Sequence, residues 1–85
     1  MNAWGLSEGG ARVQGLETLT DRQRAVLRCL ARGLADHEIA RVLAISQIQV
    51  GVVVTEILRV LNLRDRMAAV VYAHETGMIR LPLPR

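Results

Sequence analysis

The chain has 85 residues, enough for one compact domain whose core only just offsets the conformational entropy lost on folding. Apolar residues make up 51% of the sequence and aromatic residues only 2%, so the core must be built from aliphatic side chains. Eleven arginines against eight acidic residues give a net charge of +3, which favours polyanionic partners without identifying one.

The sequence points to a protein of the cytoplasm. Cys29 is the only cysteine, which excludes an internal disulfide and suits a reducing compartment. The first ten residues lack the basic start and the sustained apolar stretch of a targeting segment. Apolar runs such as residues 50–54 are much shorter than the roughly 18 to 20 residues that span a membrane. We therefore expect no membrane partner.

Both ends of the chain differ in composition from its middle. Residues 1–16 contain four glycines and no apolar period, which predicts a flexible N-terminal tail. Pro82 and Pro84 cannot continue a helix, so residues 81–85 are predicted to form an irregular C-terminal tail. The folded domain is expected over residues 17–80.

Capping residues divide this domain into four helices, which predicts an all-α fold. Thr20 and Gln23 have capping-box spacing and begin a helix over residues 21–32, which Gly33 ends. Asp36 is the predicted N-cap of a short second helix over residues 37–42. The inward positions of these two helices are Val26, Leu27, Leu30, Leu34, Ile39, Ala40 and Leu43.

Two further caps begin the second half of the domain. Ser46 and Gln49 repeat the capping-box spacing and begin a third helix over residues 47–61. Asp65 caps a fourth helix over residues 66–76, which Gly77 ends. The predicted inward positions are Val50, Val54, Ile57, Leu61, Ala69, Val70 and Ala73, which leave Ile48, Val52 and Val53 on the outer face of the third helix.

The second and third helices are joined by only a few residues, the arrangement of a DNA-binding helix-turn-helix. Four segments, over residues 19–27, 33–40, 43–46 and 58–66, together with Ala69, Val70 and Gly77, resemble the LuxR-type (GerE-like) DNA-binding domain. The resemblance implies a four-helix transcription regulator that binds double-stranded DNA with its third helix in the major groove. It also implies that the fourth helix often joins two domains into a dimer. Met67, Val71 and Met78 remain outside once Ala69, Val70 and Ala73 face inward, so they are the expected contacts of a homodimer.

This chain departs from the family pattern where DNA is normally held. Members usually carry Thr, Lys and His at the positions of Gln49, Gly51 and Val53, and a further Lys at Val60. From residue 47 to residue 61 the only charges are those of Glu56 and Arg59, which cancel. Because phosphate neutralisation supplies most sequence-independent affinity, we expect weak DNA binding that Gly51→Lys combined with Val53→His should restore.

The remaining candidates for DNA contact lie on the third helix and around it. Val52 suits a thymine methyl group, while hydroxyl and amide groups suit base edges. Arginines outside the third helix are expected on phosphates, whereas Arg24, Arg28 and Arg32, spaced four apart, are interpreted as a solvated face. The complete candidate set is Gln47, Gln49, Val52, Thr55, Arg22, Arg41, Arg59 and Arg64.

Other functions find less support in the sequence. One cysteine and two distant histidines do not make a zinc site, and no nucleophile is spaced with a base, so we expect no enzyme, metal or cofactor. The alternative is a degenerate helix-turn-helix domain whose apolar third helix binds a protein partner or mediates dimerisation, with weak or no DNA binding. In many family members the DNA-binding domain follows a signal-receiving domain in the same chain. We expect this chain to be a free-standing small regulator or a fragment.

Overall fold

The computed structural model of the chain describes residues 15–78, and within that range it is all-helical. Residues 15–17 are helical and are followed by a turn. Four helices come after it: α1 (Asp21–Ala31), α2 (Asp36–Leu43), α3 (Gln47–Val60) and α4 (Arg66–Glu75). The predicted all-α fold is confirmed, and no described residue belongs to a β-strand.

Three of the four predicted N-caps are confirmed. The side chains of Thr20, Ser46 and Asp65 accept hydrogen bonds from backbone N–H groups three residues later, at 2.8–3.0 Å. At α1 and α3 the glutamine three residues on returns the bond, so that its side-chain oxygen accepts from the N-cap N–H. These reciprocal bonds satisfy backbone donors that have no partner within the helix.

The predicted N-cap at Asp36 is wrong. Asp36 is the first residue of α2, and Ala35 occupies the capping position. Two bonds explain the shift by one residue. The carboxylate of Glu38 accepts from the N–H of Ala35 at 2.7 Å, and the Asp36 carboxylate pairs with Arg66 of α4 at 2.7 Å. The Asp36 carboxylate, which the local pattern assigned to capping α2, therefore pairs with α4 instead.

All four described helices end in the same way. A residue with a positive φ ends each helix; it is the C-cap itself at α2 and the residue after the C-cap at the other three helices. The N–H of the next residue bonds to the carbonyl five residues earlier, as in a Schellman motif. The left-handed residues are Gly33, Ala44, Asn62 and Gly77. The residues that follow them are Leu34, Ile45, Leu63 and Met78, and each is a partly buried side chain packed against the core. Every helix end thus turns an apolar side chain back into the domain.

Helix α1 lies at the centre of the domain and contacts each of the other three helices. Its core residues Val26 and Leu27 are fully buried, as are Ile39 of α2, Val50 and Ile57 of α3, and Ala69 and Ala73 of α4. These agree with the inward positions predicted from periodicity. No charged or polar side chain among the described residues is fully buried, and the core is aliphatic apart from the thiol of Cys29.

The N-terminal boundary of the structured region differs from the predicted one. Residues 15 and 16 are helical although the sequence analysis assigned them to the tail, and Leu16 packs against the core. The carbonyl of Leu16 also accepts a hydrogen bond from the Arg24 guanidinium at 3.3 Å. Arg24 is therefore partly buried, not part of a fully solvated arginine face. The other residues of the predicted tails, 1–14 and 81–85, lie outside the described residues.

The described helices are short, the longest being α3 with 14 residues. None of them alone has the length and apolar composition needed to cross a membrane; only the sharply bent pair α2 and α3 meets those two criteria jointly.

Ala44 is the one left-handed residue of the four whose side chain disfavours that conformation. It has φ 58°, where a Cβ atom collides with the backbone carbonyl, whereas glycine and asparagine tolerate the region. We expect Ala44→Gly to raise the free energy of unfolding by about 0.5–1 kcal/mol, as measured by urea denaturation. Asn62→Gly is the matched control and should change it by a smaller amount. A loss of stability in Ala44→Gly would contradict this account of the turn.

Candidate nucleic-acid interface

Helices α2 and α3 have the geometry of a helix-turn-helix. The chain direction changes by 103° between them, and residues 44–46 form the connection. Helices that meet at about 90–120° across a turn of three or four residues are typical of this motif, in which the second helix is the one presented to the major groove. Here that helix is α3.

One face of α3 is buried and the opposite face is open to solvent. Val50, Val54 and Ile57 lie on the buried face and contact the core formed with α1 and α2. At 3.6 residues per turn, a second line of residues lies on the opposite side of the helix. We call it the outer face of α3; its members are Ile48, Val52, Thr55 and Arg59, all of them exposed.

The sequence analysis placed Val53 outside, and this is wrong. Val53 is only 5% exposed, whereas Ile48 and Val52 are 80% and 53% exposed. The difference arises because α3 packs against both α1 and α2, which widens its buried arc beyond the single line that periodicity suggests. A histidine at position 53 would thus replace a core side chain, so Val53→His is not expected to restore a DNA contact.

Two polar candidates on α3 have part of their hydrogen-bonding capacity occupied. The side-chain oxygen of Gln49 accepts from the Ser46 N–H at 3.0 Å in the capping box. The Thr55 hydroxyl donates to the carbonyl of Gly51 at 3.1 Å. Gln49 therefore has its amide donors and one acceptor lone pair left for DNA, and Thr55 offers chiefly an acceptor. Gln47, at the first position of the helix, is exposed.

Arginines flank α3 at its start, middle and end. Arg41 lies in the last turn of α2, just before the connection, and Arg64 lies in the loop that follows α3. Arg22 precedes Gln23, whose side-chain amide donates to Glu56 of α3 at 3.2 Å, so the start of α1 lies beside the middle of α3. Arg22, Arg41, Arg59 and Arg64 are all exposed. Within residues 15–78 none of the four forms an ion pair; the ion pair found there joins Arg66 to Asp36.

The predicted site residues are therefore distributed unevenly. Val52, Thr55 and Arg59 share the outer face, while Gln47 and Gln49 lie to either side of it near the helix start. Two relevant features were not in the predicted set. Ile48 is the most exposed apolar side chain of α3. Its spacing of four residues from Val52 places both on one face of the helix, and this spacing was the signal in the sequence that could have identified it. The bond between Gln23 and Glu56 had no local signal, because the two residues are 33 positions apart.

The residues expected at a dimer interface also divide into two groups. Met67 and Val71 are exposed and lie one turn apart on α4. Met78 is partly buried and packed against the core, because the Schellman turn at Gly77 directs it inward. Met67 and Val71 are therefore more available for pairing than Met78, and the role of all three in a dimer stays a prediction.

Gly51 and Val53 should respond in opposite ways to the substitutions that the family pattern suggests. A Cβ atom at Gly51 meets no other atom within 4 Å, so Gly51→Lys should raise the free energy of unfolding by about 0.5–1 kcal/mol through helix propensity. Val53→His should lower it by about 2–3 kcal/mol, because it places a polar ring in the core. Thermal unfolding followed by circular dichroism compares the two. Equal stability of both variants would show that position 53 is not buried.

Comparison with known proteins agrees with this geometry. Residues 17–73, more than half of the chain, match the family model described as bacterial regulatory proteins, luxR family. The chain is 45% identical over 60 residues to a nitrate/nitrite response regulator protein homolog of Haemophilus influenzae and 44% identical over 62 residues to the nitrate/nitrite response regulator protein NarP of Escherichia coli. The matches cover 71% and 73% of this chain but 29% of each relative. The chain belongs to the luxR family of DNA-binding bacterial regulatory proteins.

Proposed function

We propose that this chain regulates transcription by inserting α3 into the major groove of DNA, with the outer face of α3 against the base edges. The observation that carries the proposal is the 103° helix-turn-helix whose second helix leaves a full face uncovered by the rest of the domain. An α-helix with its side chains is about 10–12 Å wide, which fits a major groove of about 12 Å.

We further propose that arginines outside α3 supply most of the attraction to phosphates. The charges of Glu56 and Arg59 cancel within α3 itself, so the helix contributes no net neutralisation of phosphate. Arg22, Arg41 and Arg64 are exposed and lie around α3, where they are free of the ion pairs found among residues 15–78. Backbone contacts from these positions would fix the orientation of α3, while side chains of α3 itself would distinguish sequences.

Self-association through α4 is proposed as the route to a dimer. Met67 is 67% exposed and Val71 46% exposed on one side of α4, and such an apolar pair on a helix surface suits packing against its counterpart in a second copy. Two domains joined there would present their third helices to successive major grooves about 34 Å apart. The ion pair between Arg66 and Asp36 joins the start of α4 to the start of α2.

The role of the domain in a larger regulator is also a proposal. The two relatives are named as nitrate/nitrite response regulators, and this chain spans less than a third of either. The shared part contains the helix-turn-helix, so we propose a common DNA-binding output and assign no signal to this chain. We propose a non-enzymatic role in the cytoplasm, because a DNA-binding regulator acts where the chromosome is.

A second candidate function rests on the apolar character of α3. Ile48 and Val52 are exposed, and an exposed apolar pair suits a protein partner as well as DNA. In that case α3 would bind a protein or a second copy of this chain and would have little affinity for DNA. The salt dependence of DNA binding separates the two functions.

The arginines around α3 should determine how strongly salt weakens DNA binding. Each phosphate contact contributes about 0.9 to the slope of log affinity against log salt concentration, so Arg22→Gln, Arg41→Gln and Arg64→Gln should each reduce the slope by about that amount in an anisotropy titration with random duplex. Arg32→Gln, an exposed arginine at the opposite end of α1 from Gln23, is the control and should leave the slope unchanged. Absence of binding at low salt would favour the protein-partner function.

Val71→Glu should prevent self-association without unfolding the domain. It places a charge on the apolar seam of α4 at an exposed position, so the core is untouched. Sedimentation equilibrium should give a monomer for Val71→Glu at concentrations where the unmodified chain is a dimer. Val42→Glu, at an exposed valine of α2, should remain dimeric. Dissociation in both variants, or in neither, would contradict an interface at α4.

A further inference from the structure

The outer face of α3 carries two apolar side chains where it meets the proposed base edges. Ile48 and Val52 are the members of that face with no polar atom in their side chains, and both are well exposed. We infer that Ile48 and Val52 together read C5-methyl groups in the major groove, those of thymine and of 5-methylcytosine. The inference rests on the proposed function, and it assigns Ile48 as a specificity-determining residue beside Val52.

The two side chains are far enough apart along α3 to reach methyl groups on neighbouring base pairs. Ile48 and Val52 are four residues apart, so they lie about 6 Å apart along the helix axis on one face. Successive bases along one strand are separated by about 3.4 Å. The two side chains therefore span one to two base steps, which places two methyl groups in reach of the pair at the same time.

Hydrogen bonds within the domain leave α3 fewer free polar groups with which to recognise base edges. The Gln49 oxygen is held by the Ser46 N–H, and the Thr55 hydroxyl hydrogen is directed to the Gly51 carbonyl. A bidentate contact to adenine uses both the oxygen and the nitrogen of a side-chain amide, and the bond to Ser46 holds the Gln49 oxygen at the start of α3. What the outer face offers in greatest amount is apolar surface. The thymine methyl is the apolar group that unmodified DNA presents in the major groove.

The charges around these two side chains fit DNA better than an apolar protein surface. Arg59 lies on the same face of α3, and Arg41 and Arg64 lie before and after the helix. On DNA these guanidinium groups would meet phosphates, whereas against an apolar protein surface they would lose water without gaining a partner. Two side chains also provide far less area than the roughly 800 Å² per partner of a stable protein interface.

The test uses the full 85-residue chain and duplexes that differ only in the methyl group. Anisotropy titrations at one low salt concentration would compare alternating duplex poly(dA-dT) with poly(dA-dU), and poly(dG-dC) with the same duplex containing 5-methylcytosine. Burying one methyl-sized group changes affinity about fourfold, which corresponds to roughly 0.8 kcal/mol. We expect affinity to fall about fourfold on removal of thymine methyls for each methyl contacted, and to rise by a similar factor on methylation of cytosine.

Matched variants locate the effect on α3. Ile48→Ala and Val52→Ala should each reduce the ratio of affinities for the thymine and uracil duplexes, and the double variant should bring it close to one. Val42→Ala removes the same atoms as Val52→Ala from an exposed valine of α2, and it should keep the full ratio. Thermal unfolding should confirm that all four variants fold.

The outcomes that overturn the inference differ from those that overturn the proposed function. Normal binding with equal affinity for thymine and uracil duplexes would reject methyl reading but leave DNA binding intact. An unchanged ratio in Ile48→Ala would reject the role of Ile48, and a lost ratio in Val42→Ala would show that the effect is not local to α3. Failure to bind any duplex would overturn both the inference and the proposed function. If Ile48→Ala also converted a self-associated form to a monomer, α3 would be a protein-binding surface instead.

Discussion

The domain depends on the burial of one face of a helix whose sequence does not favour a helix. The middle of α3, residues 50–55, contains glycine and β-branched residues only, and these forfeit roughly 3–4 kcal/mol of helix propensity relative to alanine. Four side chains of α3 are buried: Val50, Val53, Val54 and Ile57. At about 1.5–3 kcal/mol each, their burial contributes more than the propensity deficit. Tertiary packing against α1 and α2 therefore decides the conformation of the recognition helix.

Because packing of its inner face holds α3 in place, the fold does not depend on the side chains of its outer face. The inner face, the capping box at Ser46 and the Schellman turn at Asn62 fix where the helix begins, ends and packs. Ile48, Val52, Thr55 and Arg59 are exposed and contribute little to any of these. The same fold can accordingly carry different side chains on this face. In this chain two of its four members are apolar.

Features with a local cause were predictable from the sequence, and those with a distant cause were not. The caps at Thr20, Ser46 and Asp65 depend on residues three positions away and were predicted correctly. Asp36 was assigned wrongly because Arg66, thirty residues on, takes its carboxylate.

The burial of Val53 and the inward packing of Met78 have different physical origins. A helical wheel assumes one contacting neighbour, and α3 has three, so Val53 was wrongly placed outside. Met78 could have been predicted, because a Schellman turn at Gly77 implies an apolar contact from the next residue. Of the candidate site, the residues on α3 followed from periodicity. The position of Arg22 beside α3 depended on the bond between Gln23 and Glu56, which no local pattern encodes.

The central claim is that the outer face of α3, assisted by arginines around it, contacts DNA. Amide chemical shifts of the isotope-labelled chain, recorded during titration with a random-sequence duplex at low salt, test it most directly. The account predicts that the largest changes fall on residues 47–55 of α3 and on Arg22, Arg41 and Arg64. Changes confined to α4, or no changes at concentrations where the chain remains folded, would contradict it.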